Sequence, residues 1–151
     1  LYEQEDDLSP VKELDLRLEK PKIVSEGNDI TIVSSGYSSL QVKLAVEKLR
    51  EENIHPETID VRVLSPLYID DIVKSVKKTK KFLVVDPGWL SSGFSAELVA
   101  KIVENLEINS LAIPPMRLAL PDAAAPTSRV LEKNYYTSVE DIVYKVKKAL
   151  K

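Results

Sequence analysis

The chain contains no cysteine, so it has neither a disulfide framework nor a thiolate metal site, and a reducing compartment such as the cytoplasm is the expected setting. It has one histidine, His55, which cannot build a metal site alone and sits beside Pro56 in what reads as a solvated turn. Only four glycines are present, and none form Gly-x-Gly-x-x-Gly, which leaves little for a dinucleotide cradle. A basic excess is missing too: Lys and Arg total 21 against 24 Asp and Glu, a net charge of −3. Non-specific nucleic-acid binding needs a basic face, so that class is disfavoured. No apolar run approaches the roughly 20 residues of a membrane span, and the acidic start does not read as a signal peptide. There is no internal repeat, no low-complexity tract, no Ser/His/Asp set and no pair of carboxylates at a catalytic spacing.

What is present is the composition of a globular domain: 151 residues, 44% hydrophobic and 30% charged. Beginning at Leu1 rather than Met, the chain reads as a portion of something longer. Residues 1–21 lack a clear period. They cluster Glu3, Glu5, Asp6 and Asp7, and Pro10 and Pro21 bracket the alternating, strand-like Leu14 to Leu18. This stretch reads as an interdomain linker, with residues 22–151 as the domain. Lys22 to Ser25 reads as a short edge strand, expected to be antiparallel, closed by the turn chemistry of Glu26, Gly27, Asn28 and Asp29.

Strand and helix patterns then alternate. Strands are expected over Ile30–Ser34, Thr58–Val63, Phe82–Val85 and Met116–Leu120. Between them lie helical faces: Val42, Ala45, Val46 and Leu49; Ile69, Ile72, Val73 and Val76; Ala96, Val99, Ala100 and Val103. Val139, Ile142, Val143, Val146 and Leu150 define a closing helix, and Thr137–Ser138 with Glu140 or Asp141 forms its capping box. Such alternation predicts an α/β fold: a three-layer, doubly wound, mostly parallel sheet of about five strands.

The chain is organised around Lys81 to Phe94, a buried strand running into Asp86, Pro87 and Gly88 and then a loop and helix. Loops beyond the carboxyl ends of parallel strands are where ligands or partners collect. This one offers Asp86, Trp89, Leu90 and Phe94 as a candidate interface, with Trp89 and Phe94 reading equally well as core. Ser34 to Ser39 is a small polar loop at a helix start, which reads as a cap or as a phosphate cradle. Lys74, Lys77, Lys78, Lys80 and Lys81 read as a solvated helix end.

Taken together, several segments resemble the transketolase C-terminal domain family. They are Glu26 to Val33, Asp60 to Leu67, Ser75 to Asp86, and Gly93 to Glu97. Pro121–Asp122, Pro126 and Leu131–Glu132 are similar to the tail of one branch, the beta subunits of thiamine-diphosphate-dependent 2-oxo acid dehydrogenases. Asp86–Pro87, where that family usually has Asp-Glu, and Ser92–Gly93, where many members have two glycines, blur the branch, leaving a pyruvate, branched-chain or acetoin-type enzyme or a two-subunit transketolase relative. The resemblance implies a domain serving subunit assembly and carrying no catalytic, metal or cofactor residue of its own. Thiamine diphosphate and Mg²⁺ would sit on other domains of the holoenzyme. It implies as partners the other domains of the same subunit, an alpha subunit, a second beta subunit and the lipoyl acyltransferase. A two-subunit transketolase is the alternative within the family. A free-standing flavodoxin-like module binding phosphate at Ser34–Ser39 is the alternative outside it.

Overall fold

A computed structural model describes residues 15–151. Its elements are β1 (Lys22–Ser25), β2 (Thr31–Ser34), α1 (Tyr37–Glu51), β3 (Glu57–Asp60), α2 (Asp70–Thr79), β4 (Phe82–Trp89), α3 (Phe94–Glu104), β5 (Met116–Leu120), α4 (Arg129–Tyr135) and α5 (Val139–Leu150). The five strands are ordered β1-β3-β2-β4-β5. Only the β1–β3 pair is antiparallel; the other neighbours are parallel. The expected doubly wound, mostly parallel sheet with an antiparallel edge strand is therefore what forms. Because β3 lies on one side of β2 and β4 on the other, the strand order reverses beside β2.

The unbroken apolar runs follow from this topology. Both faces of β2 and β4 are covered: Phe82 to Val85 is apolar throughout, and the two polar residues of β2, Thr31 and Ser34, are buried with hydrogen-bond partners. Ile32, Leu83 and Val85 face α1 and α5, where Val42, Ala45, Leu49, Ile142 and Val146 close one half of the core. Val33, Phe82 and Val84 face α2 and α3, packing on Ile72, Val76, Leu98 and Ile102. The acidic first turn of α2, Asp70 and Asp71, and its terminal Lys77 and Lys78 match the helix dipole. Ser138 and Asp141 exchange hydrogen bonds as the capping box of α5.

Four expectations change. Residues 15–18 form a turn rather than a surface strand, since Asp15 accepts bonds from the backbone N–H and guanidinium of Arg17; Leu14 and the acidic cluster lie outside the described residues. Strand β3 stops at Asp60, three residues short of Val63, because the chain turns at Arg62, where φ is 20°. Strand β4 continues through the Asp-Pro-Gly stop to Trp89, with an irregular register after Val85 that accommodates the proline. Helix α3 buries Ser95, Leu98 and Ile102 and leaves Val103 43% exposed. The rotation of α3 is set by its first turn, where the Ser95 N–H donates to the Asp86 carboxylate at 2.6 Å.

Candidate interface at the carboxyl edge

Asp86 ends the apolar run of β4 and is only 3% exposed. Its carboxylate accepts from Gly88 N–H at 2.8 Å and from Ser95 N–H at 2.6 Å, joining the strand end to the start of α3. It does for α3 what an N-cap side chain would do, because the cap position itself is Gly93 and has none. Gly93 is required there for space: a Cβ would lie 1.9 Å from the Trp89 carbonyl oxygen. This compact turn pushes Trp89 and Leu90 outward, 56% and 39% exposed, while Phe94 folds back against the core. Of the four residues read as an interface, the structure brings Trp89 and Leu90 to the surface. It gives Asp86 and Phe94 internal contacts.

Around Trp89 lies a shallow concavity lined by Ser91, Asp122, Ala123 and Ala124. The indole N–H donates to the Tyr135 hydroxyl at 3.0 Å, and that hydroxyl donates to the Ala123 carbonyl at 2.7 Å. Ser91 donates twice to Asp122, through its backbone and its hydroxyl, and these bonds hold the Asp122 carboxyl below the usual range with help from the Arg117 charge. Arg117 also donates to the Leu90 carbonyl. The sequence reading missed α4 and with it Tyr135. The signal was weak: seven residues between Pro126 and the closing helix, with Val130, Leu131 and Tyr135 at broken spacing.

The remaining candidates resolve into local roles. Ser34 and Ser39 share a hydroxyl contact at 3.1 Å, and Ser39 donates to Asp60 at 2.8 Å, so the loop's side chains are engaged with one another. His55 acts through its backbone, donating to Asp29 and accepting from Asn28 and Asp29. In the lysine group, Lys74 pairs with Asp71, Lys80 takes the left-handed cap of α2, and Lys78 pairs with buried Glu57. Burial pushes the Glu57 carboxyl up, but bonds from Lys78, Ser75 and the Gly27 N–H outweigh it and hold the group below its ordinary range. Among the described residues no three His, Asp or Glu side chains gather to hold a metal ion, and no helix is long and apolar enough to cross a membrane.

Exposed apolar side chains are most numerous at one edge. Trp89, Leu90, Tyr37, Leu64, Val130, Leu131 and Tyr136 are large, apolar and exposed, and all follow the carboxyl ends of the parallel strands. Leu16 and Leu18 join them, because Glu19 pairs with Arg62 and the Tyr68 hydroxyl donates to the Arg17 carbonyl. Elsewhere among the described residues Val103, Ile108, Ile23, Val24, Leu44 and Tyr144 are comparably exposed, at α3 and its exit, on the edge strand β1 and on helices α1 and α5. Apolar side chains gathered on one end mark a surface meant to be covered.

Residues 19–142 match the family described as Transketolase, C-terminal domain. The chain is 36% identical over 131 residues to the mitochondrial pyruvate dehydrogenase E1 component subunit beta of Mus musculus, a match covering 87% of this chain and 36% of that protein. It is 33% identical over 141 residues to the corresponding beta subunit of Bacillus subtilis, covering 93% of this chain and 43% of the relative. Among solved structures, a split-gene transketolase described as an inactive beta4 tetramer superposes with a TM-score of 0.78 at 22% identity, covering 97% of this chain and 46% of that one. A 2-oxoglutarate:ferredoxin oxidoreductase from Magnetococcus marinus gives 0.60 at 17% identity, covering 87% and 19%. The chain thus spans less than half the length of each of these proteins.

Proposed function

The chain belongs to the transketolase C-terminal domain family, and from that premise we propose that it is the carboxyl-terminal domain of a beta subunit of a thiamine-diphosphate-dependent 2-oxo acid dehydrogenase of the pyruvate type. Residues 22–151 are the domain, and residues 1–21 connect it to the rest of the subunit. Its task is assembly: the carboxyl-edge surface around Trp89 and Leu90 packs on the other domains of the subunit, on a second beta subunit or on an alpha subunit. The observation that carries this reading is the gathering of exposed apolar side chains on that edge, in a chain one-third or more identical to named beta subunits.

The holoenzyme, in this reading, uses thiamine diphosphate to decarboxylate the 2-oxo acid and hands the acyl group to the lipoyl acyltransferase. Among the described residues the two buried carboxylates are engaged, Glu57 with Lys78 and Ser75 and Asp86 with two backbone N–H groups, so neither is free to meet that cofactor. In this reading the domain supports the cofactor domains. The likeness to the split-gene transketolase keeps a two-subunit transketolase as the second reading.

The test uses the complete subunit with its alpha partner. Sedimentation should show weaker association for the Trp89→Ala, Leu90→Ala double variant, while the variant domain stays folded. Association that is unchanged would remove the carboxyl edge from the interface. Assaying the assembly for 2-oxo acid decarboxylation and for ketol transfer decides between the two enzymes.

A further inference from the structure

The two outer strands of the sheet are finished differently. Strand β1 carries an extra residue against β3 between Ile23 and Ser25, and the Arg50 guanidinium donates to the Ser25 hydroxyl and the Glu26 carbonyl at its end. A bulge and a covering charge keep an edge from pairing with another chain. Strand β5, at the other edge, has neither. Where its register with β4 becomes irregular, the extra residues belong to β4, between Val85 and Trp89, against Leu118 to Leu120. Met116 to Ala119 are only half-buried, and among the described residues their backbone groups bond to no element but β4. The outer side of β5 is therefore an open row of N–H and C=O groups.

A concavity lies on each face of the sheet where the chain enters this edge, and the two share Ile113, Pro114 and Pro115. On the face that carries α5, Lys145, Lys148 and Lys151 line it. Among the described residues none of these three pairs with a carboxylate, whereas neighbouring Lys147 is engaged with Glu52. On the face that carries α3, the lining is Val103, Leu106 and Leu111, and its one charged residue is Glu107. We propose that β5 is a docking edge for an extended segment of a partner polypeptide with alternating acidic and apolar side chains, added to the sheet as a further strand. Side chains of a strand point alternately to its two faces, so such a segment presents one set to each concavity. The lysines take the acids, and Glu107 repels acids from the other side, where the apolar set packs. Main-chain bonds to Met116–Leu120 supply affinity, and the sorting of charge supplies the choice of partner. Pro114 and Pro115 have no N–H to give, so the ladder starts at Met116. This edge lies apart from the Trp89–Leu90 surface and does not rest on the assembly reading.

Titrating the chain with an acetylated, amidated peptide of about ten residues, alternating Glu and Val, tests it by calorimetry and NMR. Saturable binding is expected at low salt, with amide shifts and slowed hydrogen exchange centred on Met116–Leu120, and weakening in high salt. Lys145→Glu with Lys148→Glu should weaken it on the order of 10-fold, because attraction becomes repulsion at two exposed sites. A peptide of the same composition with its glutamates and valines in separate blocks should also bind on the order of 10-fold more weakly, since it cannot sort its side chains between the faces. Methylating the peptide nitrogens removes the donors of the ladder and should abolish binding with every charge kept. No saturable binding overturns the proposal, and so does equal affinity for the blocked or methylated peptide. Shifts centred on β1 overturn it too. Self-association of the chain through β5 that the peptide fails to compete would make the occupant a second copy, which also overturns it.

Discussion

At the scale of single residues, two buried carboxylates do most to fix the local structure, and neither is catalytic. Asp86 ties β4 to α3 through two backbone N–H groups. Asp86→Ala orphans both, and should cost about 1–3 kcal/mol in the denaturant midpoint. Asp86→Asn keeps an acceptor oxygen and should lose less. Glu57 gives a pH signature. Its folded-state carboxyl lies below its ordinary value of 4.5, so its stabilisation is present above that value and is lost as pH falls through the folded pKa. Glu57→Gln should therefore destabilise the domain at pH 7 by about 1–2 kcal/mol, a modest figure because its partner Lys78 is 44% exposed. In acid the gap between wild type and variant should close. Urea midpoints measured across the acid range check the sign; a gap that is the same at every pH would mean that the carboxylate charge contributes nothing.

Among the elements, the end of β4 and helix α4 are joined by polar contacts at the edge of the sheet. Trp89 is 56% exposed and bonded to Tyr135, whereas Leu83 in the same strand is fully buried. Trp89→Ala should cost the isolated domain well under the roughly 3–5 kcal/mol of a core aromatic. Leu83→Ala should cost about 2–5 kcal/mol, the usual range for a large side chain lost from a packed interior. Comparing the two denaturant midpoints shows which element belongs to the core. A Trp89 variant as damaged as the Leu83 variant would make the tryptophan a core residue rather than part of a docking surface.

For the whole molecule, the core is complete on both faces of the sheet, and an independently folding domain is expected. Calorimetric titration of the chain with thiamine diphosphate and Mg²⁺ should show no saturable binding, since the two buried carboxylates among the described residues, Glu57 and Asp86, are committed elsewhere. Micromolar affinity would contradict the assembly role. Exposed apolar side chains are most numerous where the parallel strands finish, around Trp89 and Leu90.

The sequence by itself determined the layers. Unbroken runs such as Phe82 to Val85 require a strand covered on both sides, and the spacing of Val42, Ala45, Val46 and Leu49 requires one buried helical face, so alternation alone leads to the doubly wound sheet. What it could not determine was anything set by contacts distant along the chain. Helix α3 has two plausible apolar faces, and the bond from Ser95 N–H to Asp86, nine residues earlier, chose the one with Leu98 and Ile102. Helix α4 has little periodicity of its own and is held through Tyr135, whose partners Trp89 and Ala123 come from elsewhere in the chain. The candidate interface divided for the same reason. Trp89, Leu90 and Phe94 are equally apolar in sequence, and only the tight turn at Gly93 decided which of them face solvent.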